Sequence, residues 1–432
     1  MKKILSVLVL LFLSFAIFGC EKGIYKVCFY DYDGTFIEGY YYFKGEEVVL
    51  PTAEPKRNGY DFVGWDKTVE MIVTKDADYI AVYKERDKTA SDELSFHFID
   101  VQNSNNGDAI YIKAGETDIL IDAGSTKSSS RAIENYIDQY CTDRKLEFAI
   151  CTHGDEDHIA GFVGTSTNPG IFEYYDIDII IDNPLTNKTT VLYKNYQEKR
   201  DNAKDRGAKH YTALECYQEK NGASRTYSLG NGLEMEILYN YYYENSTSDE
   251  NDYSVCVLFK DIFNEKYFLF TGDLEKSGEK KLVQNYNLPE VELFKAGHHG
   301  SPTSSNDELL SVIKPKICVV SCVAGKNEYT QNIDNIFPST AFINRIAKYT
   351  DNVYVTAMVS DGNYAPLNGT VIVKCDNGLI SVNCLNNNTI LKDSDWFNSS
   401  VEYYSTDKGD FLPDSKNPST GTRTWRTWPT YE

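Results

Sequence analysis

At 432 residues the chain is long for one domain, so length alone suggests two or three, and burial of a sizeable core is not limiting. The formal net charge of −21, from 64 acidic against 43 basic residues, excludes a protein that gains its affinity by coating a polyanion with Lys and Arg. Ten cysteines are present without a C-x-x-C pair, which argues against a zinc ribbon or a thioredoxin-type site.

The chain opens with Met1-Lys2-Lys3, an apolar run from Ile4 to Phe18, and Gly19-Cys20, the order of a secretory signal. The run is too short to favour a membrane-spanning helix, and no later stretch is long and apolar enough for one. The small residue directly before a cysteine resembles a bacterial lipoprotein signal over residues 1–19. That resemblance implies a lipid on Cys20 and attachment to the outside of the cell membrane; plain secretion is the alternative.

From Gly23 to about Lys84 short period-2 runs are separated by turn signals such as Asp33-Gly34, the pattern of a small β-rich module. Val49-Leu50-Pro51, Arg57, Gly59-Tyr60-Asp61-Phe62-Val63-Gly64-Trp65 and Ala81-Val82-Tyr83 resemble the Listeria–Bacteroides (internalin B-type) repeat, a β-grasp-like module of surface proteins. The resemblance covers residues 20–84 in one copy and implies a spacer or a cell-wall contact, with Tyr60, Phe62 and Trp65 as core. Residues 85–93 are charged and aperiodic and read as a linker.

From Leu94 long strands and helices alternate. His97 sits mid-strand and reads as structural; Arg131 to Tyr140 reads as an amphipathic surface helix. The buried strand Leu146 to Cys151 then delivers Thr152-His153-Gly154-Asp155-Glu156-Asp157-His158. His153 and Asp155, two apart on a strand end, share a side, while Asp157 and His158 can open the next helix toward the same cavity. The bland alternative is a polar turn with Asp as N-cap. Asn187 to Gly207 reads as a helix, and the stretch to Gly232 as loops carrying a solvated His210.

The strand Tyr267 to Phe270 delivers Asp273 through Gly272, and Glu290 to Gly297 delivers His298-His299-Gly300-Ser301. Four of the six histidines thus lie at strand ends in two clusters with three Asp. Imidazole with carboxylate suits Zn or Mn, and the Asp-rich set shifts the balance toward Mn.

Together with Asp100-Val101, Gly107-Asp108-Ala109, Ile121-Asp122-Ala123-Gly124, Asn251 and Ser254, these motifs resemble the metallo-β-lactamase fold superfamily, and more narrowly its ComEC-type competence hydrolases in a free-standing secreted form. The resemblance covers residues 94–385 and implies an α/β, four-layer αββα sandwich with two divalent metal ions between its sheets. It implies that His153 and Asp155 hold one ion, that Asp157, His158 and one of His298 or His299 hold the other, and that Asp273 bridges them. Asn251 stands where many relatives keep another His, as a weak ligand or an orienter of water. Asp157 or Asp273 would accept the proton of a metal-bridging water, leaving the hydroxide.

Asp155 in place of the usual second His points away from lactams. The expected activity is an extracellular phosphodiesterase or nuclease. The alternatives are a surface phosphorylcholine esterase-like or other ester hydrolase, and a non-catalytic surface binding protein. The first loop, Asp100 to Asp108, is longer than in relatives, and the outer His that follows the segment of Asn327 and Tyr329 is missing. Cys375 and Cys384 could pair across a hairpin. Residues 386–432 read as a polar tail, with Trp396, Trp425 and Trp428 as a carbohydrate contact in the alternative.

Overall fold

The structure, a computed structural model, describes residues 23–51, 55, 57, 60–85, 91–326, 336–360, 363–398, 403–405, 411–413, 423–424 and 428–431. The signal pattern with Cys20, the Asn327–Tyr329 segment and Trp425 lie outside these residues. The chain divides into two compact units between Arg86 and Asp87.

In the first unit β1 (Ile24–Tyr30), β2 (Phe36–Phe43), β3 (Tyr60–Trp65) and β4 (Ala77–Glu85) form a sheet of order β2-β1-β4-β3, with β1 and β4 parallel and the outer pairs antiparallel. Its core is Val27, Phe29, Tyr42, Val48, Val73 and Tyr79. The Trp65 ring lies tilted 4.7 Å from Phe29 and edge-on 5.3 Å from Phe62, so Trp65 and Phe62 both work in packing. Tyr60 lies at the rim under the Arg57 guanidinium, 3.7 Å from its ring centre.

The second unit is built on two eight-stranded sheets. The first uses β5 (Leu94–Phe98), β6 (Ile110–Ala114), β7 (Thr117–Ile121), β8 (Lys145–Ile150), β9 (Asp176–Asp182) and β10 (Lys209–Thr212). The second uses β11 (Thr226–Gly230), β12 (Leu233–Leu238), β13 (Cys256–Asp261), β14 (Lys266–Phe270), β15 (Leu293–Lys295), β16 (Ile317–Ala324), β17 (Val353–Ser360) and β18 (Asn363–Pro366). The chain then returns to the first sheet as β19 (Val371–Asp376) and β20 (Leu379–Cys384). The orders are β10-β9-β8-β7-β6-β5-β19-β20 and β11-β12-β13-β14-β15-β16-β17-β18.

Three apolar layers separate four structural ones. Between the sheets lie Phe96, Phe98, Phe148, Ile150, Phe259, Phe268 and Phe270, with Phe96 ring centres 4.8 Å from Phe268 and 5.2 Å from Phe270. Helices cover the other face of the first sheet over Ala149, Cys151, Phe162 and Phe172, and the other face of the second over Leu258, Leu269, Leu282 and Phe294. Strands such as β8 and β14 are therefore apolar on both faces, which explains their unbroken hydrophobic runs. Each fully buried Phe contributes roughly 1.5–3 kcal/mol. The α/β, four-layer sandwich expected from the sequence is the fold of this unit.

Several local expectations are corrected. The 187–207 helix starts later, at Val191, capped by Thr190, because Asn187 and Lys188 turn into the cleft described below. The stretch read as loops holds β10, β11 and a short helix Ala213–Gln218. His210 is thus a strand residue, its Nε2 2.8 Å from buried Asp182, and not a solvated loop histidine. Cys375 faces Ile380 and Cys384 faces Val371 across the hairpin, so the two thiols are not opposite and remain free. Buried Leu391, Trp396 and Phe397 join the core of the second sheet, and Trp428 donates to Asp351 Oδ1 at 2.7 Å beside Phe397. Trp396 is buried and serves packing, while Trp428 stays partly exposed at the surface.

Candidate metal centre

The two sheets deliver their strand ends to one edge. Parallel β7 and β8 end at Asp122 and at the Thr152–His158 stretch; parallel β14 and β15 end at Asp273 and at His298-His299. The helix α1 (Glu156–Val163) continues directly from the β8 turn, with Gly161 against β7's exit: a Cβ there would stand 2.0 Å from Ala123 O. This close approach sets Asp157 and His158 over the cavity. Asp155 occupies the N-cap position of α1 yet its side chain caps nothing, so the turn does not use the carboxylate as an ordinary helix start does.

On the other side Gly272 is left-handed, with φ +55°, and a Cβ would meet Ser254 Oγ at 2.8 Å and Thr152 Cβ at 2.9 Å; only glycine turns the chain there. His298 and His299 follow with φ of 44° and 52°, two adjacent non-glycine residues in the left-handed region. That conformation costs roughly 1–2 kcal/mol each, a cost borne where it aims two imidazoles inward.

The imidazole nitrogens are sorted. His158 Nδ1 stands 2.7 Å from Asp122 Oδ2 and its Nε2 3.2 Å from Asp273 Oδ2. His299 Nδ1 donates to Ser321 O at 2.8 Å, and its Nε2 is 3.2 Å from Asp157 Oδ2 and 3.4 Å from Asp273 Oδ2. Thr152 Oγ1 donates to Asp122 Oδ2 at 2.7 Å and accepts from His153 Nδ1 at 3.1 Å. His153 Nε2 is buried without a hydrogen-bond partner, 3.5 Å from Asp155 Oδ2. His298 Nδ1 lies 3.2 Å from Glu275 Oε1 and its Nε2 4.0 Å from Asp273 Oδ2. At His153, His158 and His299 an acceptor stands at Nδ1 and Nε2 is turned toward a carboxylate, the arrangement in which loss of the Nε2 proton would free a lone pair for a cation.

The structure therefore brings together His158, His299, Asp157 and Asp273, sets His153 with Asp155 beside them, and puts His298 slightly further out. Both members of the histidine pair point inward, with His299 the nearer to Asp273. Asn251 does not enter the converging set: its amide is 3.3 Å from Glu275 Oε1 and 3.3 Å from His298 Nδ1, on the outer side of that ring.

Three residues without an assigned role in the sequence reading prove central. Asp122 orients His158 and Thr152. Buried Asp108 groups with His158, Asp273 and His299. Lys295, only 1% exposed, donates to Gly272 O at 2.9 Å and Asp273 Oδ1 at 3.0 Å and pairs with Asp108 Oδ2. A lysine inside the apolar run Leu293-Phe294-Lys295-Ala296 was the signal: a buried strand does not carry an ammonium without buried partners.

Without a cation the surrounding carboxylates charge these imidazoles. Burial lowers the basicity of His158 and His299, but Asp273 beside both, with Asp122 and Asp157 at His158 and Asp108 at His299, more than reverses this. His158 rises well above the usual range and His299 to about 9. Burial raises Asp273, and Lys295, His158 and His299 then hold it well below the ordinary carboxylate range. His97, by contrast, is pushed down to about 3 by burial and bonds Tyr136 and Ser95, a structural histidine.

The donor set fits divalent metal: an orphaned buried His153 Nε2, and imidazole and carboxylate atoms crowded on Asp273 Oδ2. A cation placed there would relieve the carboxylate field that otherwise charges the histidines. Above it opens a cleft of about 980 Å³ lined by Asp155, Asp157, Lys188, Glu250, Glu275 and His298 among others.

A family model described as the metallo-beta-lactamase superfamily matches residues 104–167. ComE operon protein 3 of Bacillus subtilis (strain 168) is 24% identical over 247 residues, 53% of this chain and 28% of that protein. Competence protein ComA of Neisseria gonorrhoeae is 26% identical over 231 residues, 52% of this chain and 26% of that protein. This chain thus spans about a quarter of the length of these curated relatives. Among solved structures, MEM-A1, a subclass B3 metallo-beta-lactamase from a soil metagenome library, aligns over 49% of this chain and 81% of its own at 13% identity and a TM-score of 0.30. The matched segment carries the Thr152–His158 stretch, and the two-sheet, mixed α/β architecture of the second unit is consistent with a metallo-beta-lactamase fold.

Proposed function

We propose that the second unit is a metal-dependent phosphodiesterase or nuclease acting outside the cell. The observation that carries this reading is the convergence of His158 Nε2, His299 Nε2 and Asp157 Oδ2 about Asp273, with each Nδ1 already engaged. When bound, two divalent ions, Zn or Mn, would supply Lewis-acid stabilisation and an activated water. His153 with Asp155, and Asp157, His158 and His299 or His298, would hold them, with Asp273 between.

The chain's own residues do the rest. Asp273 is nearly sealed and tied through Oδ1 to Lys295, so it is a fixed anchor. The Asp157 side chain is 34% exposed to the cleft. Burial raises its carboxyl, yet His158 and His299 hold it well below the usual value; it is its position at the cleft, and not its basicity, that would let it orient a water and take its proton. Asp155 in place of a histidine, and the likeness to proteins named for competence, support a phosphodiester over a lactam.

A second reading, a phosphorylcholine esterase-like or other ester hydrolase, is favoured by the cleft's charge. Asp155, Glu156, Asp249, Glu250 and Glu275 outnumber Lys188 and Lys326 there, which suits a substrate with a cationic group better than a long polyanion. The extracellular setting rests on the signal pattern ending at Cys20, with a membrane anchor and a surface contact through the first unit as its corollaries.

The test is a panel. Purified, metal-loaded protein is assayed on single-stranded DNA, bis(p-nitrophenyl) phosphate, phosphorylcholine esters and lactams, with Asp157→Ala as control. Phosphodiester cleavage lost in the variant supports the first reading, preference for the choline ester the second. Inactivity on all four, matched by the variant, leaves the non-catalytic binding protein.

A further inference from the structure

A site prepared for cations contains a buried cation of its own. Lys295 is 1% exposed, and each of its three contacts is equally interior: Gly272 O at 2.9 Å, Asp273 Oδ1 at 3.0 Å, and Asp108 Oδ2. Asp108 stands behind the ligands, its Oδ2 3.8 Å from His158 Nδ1 and its Oδ1 3.7 Å from His299 Nδ1. The lysine thus joins the carboxylate facing the histidine Nε2 atoms to the carboxylate facing their Nδ1 atoms.

We propose that Lys295 is the positioning residue of the centre: it takes Asp273 Oδ1 for itself, so that Oδ2 alone faces His158, His299 and His298, and its fixed charge, balanced by Asp108, limits how tightly divalent ions are held. This rests on the metal-centre reading above.

Two physical effects follow, of opposite sign for binding. A unit positive charge a few Å from the ligand atoms, at nearly no solvent exposure, repels a divalent ion strongly. The same ammonium stops the Asp273 carboxylate from rotating, which keeps its oxygen in the geometry that binding and chemistry need. A lysine that served only the fold would have neither signature, since its loss would weaken metal binding and turnover together.

The test uses the full chain titrated with Zn²⁺ by calorimetry against a competing chelator, with turnover of bis(p-nitrophenyl) phosphate measured alongside. Lys295→Met is expected to bind Zn²⁺ at least ~10-fold more tightly while turnover falls at least ~10-fold. The double variant Asp108→Asn/Lys295→Met removes the pair as a neutral unit. Its Zn²⁺ affinity is expected to be no tighter than wild type, because the charge is unchanged and Asp273 lacks its anchor, with turnover still low for the same reason. Unchanged or weaker Zn²⁺ binding by folded Lys295→Met overturns the proposal. If the single variant does not fold, the double variant decides: turnover equal to wild type, or Zn²⁺ binding tighter than wild type, overturns it. A wild-type chain that binds no Zn²⁺ refutes the metal centre itself, an outcome distinct from either of these.

Discussion

Asp122 sets the tautomer of His158, and its substitution should be felt at the metal position. Its carboxylate accepts from Thr152 N at 2.8 Å, Thr152 Oγ1 at 2.7 Å and His158 Nδ1 at 2.7 Å, all buried. Asp122→Ala would strand three donors at about 1–3 kcal/mol each and report mostly on folding. Asp122→Asn is the sharper perturbation, because Asn tolerates the left-handed φ of 58° found here and still offers an oxygen to Thr152 N. Its Nδ2, however, would face His158 Nδ1 as a donor, moving the imidazole proton to Nε2 and onto the metal position. Loss of such an outer partner typically weakens metal binding 10–100-fold, or about 1.4–2.8 kcal/mol. Calorimetric titration with Zn²⁺ or Mn²⁺ should show that loss with the metal-free melting temperature nearly unchanged. Wild-type affinity in Asp122→Asn would refute the claim that Asp122 sets the tautomer of a metal-binding histidine.

Gly272→Ala should cost at least about 2 kcal/mol in denaturant unfolding, from the left-handed φ and from crowding against Ser254 and Thr152, and should abolish tight metal binding by displacing Asp273. Glu279 gives a pH prediction: burial pushes its carboxyl up to about 7 from 4.5, although Ser305 N, Asn306 N and Asn306 Nδ2 donate to it. A raised carboxyl contributes stability that is present below about pH 4.5 and lost as pH rises toward 7, on the order of 3 kcal/mol for a shift of this size. Unfolding at pH 5 and pH 8 should show that loss in the wild type and a smaller one in Glu279→Gln. Metal-free protein should melt lower than protein with excess metal, by about 2.7 kcal/mol of stability at 100 times the dissociation constant. Equal melting curves with and without metal would count against the centre.

What could be read in the sequence was what buried strands and turns dictate. The apolar runs before Thr152, Asp273 and His298 mark strands covered on both faces, and their polar ends mark one sheet edge, so the sandwich and most of the converging residues were legible. The details that were missed depend on contacts between distant elements. Nothing local shows that Asp155 leaves its helix uncapped, that Lys295 spans Asp108 and Asp273, or that Asn251 turns to Glu275. His210 was misplaced because its strand is only Lys209–Thr212, too short for a period to emerge, and its partner Asp182 lies 28 residues away. The Cys375–Cys384 pairing failed on register: their separation suits a hairpin, but the turn at Asn377-Gly378 sets Cys375 opposite Ile380.

A centre for two divalent ions built from His153, Asp155, Asp157, His158, Asp273 and the His298-His299 pair can be counted by elemental analysis of the purified chain after dialysis against metal-free buffer. About two divalent ions per chain are expected, and fewer in His158→Ala. A wild-type protein that retains none, and takes up none on incubation with Zn²⁺ or Mn²⁺, would contradict it.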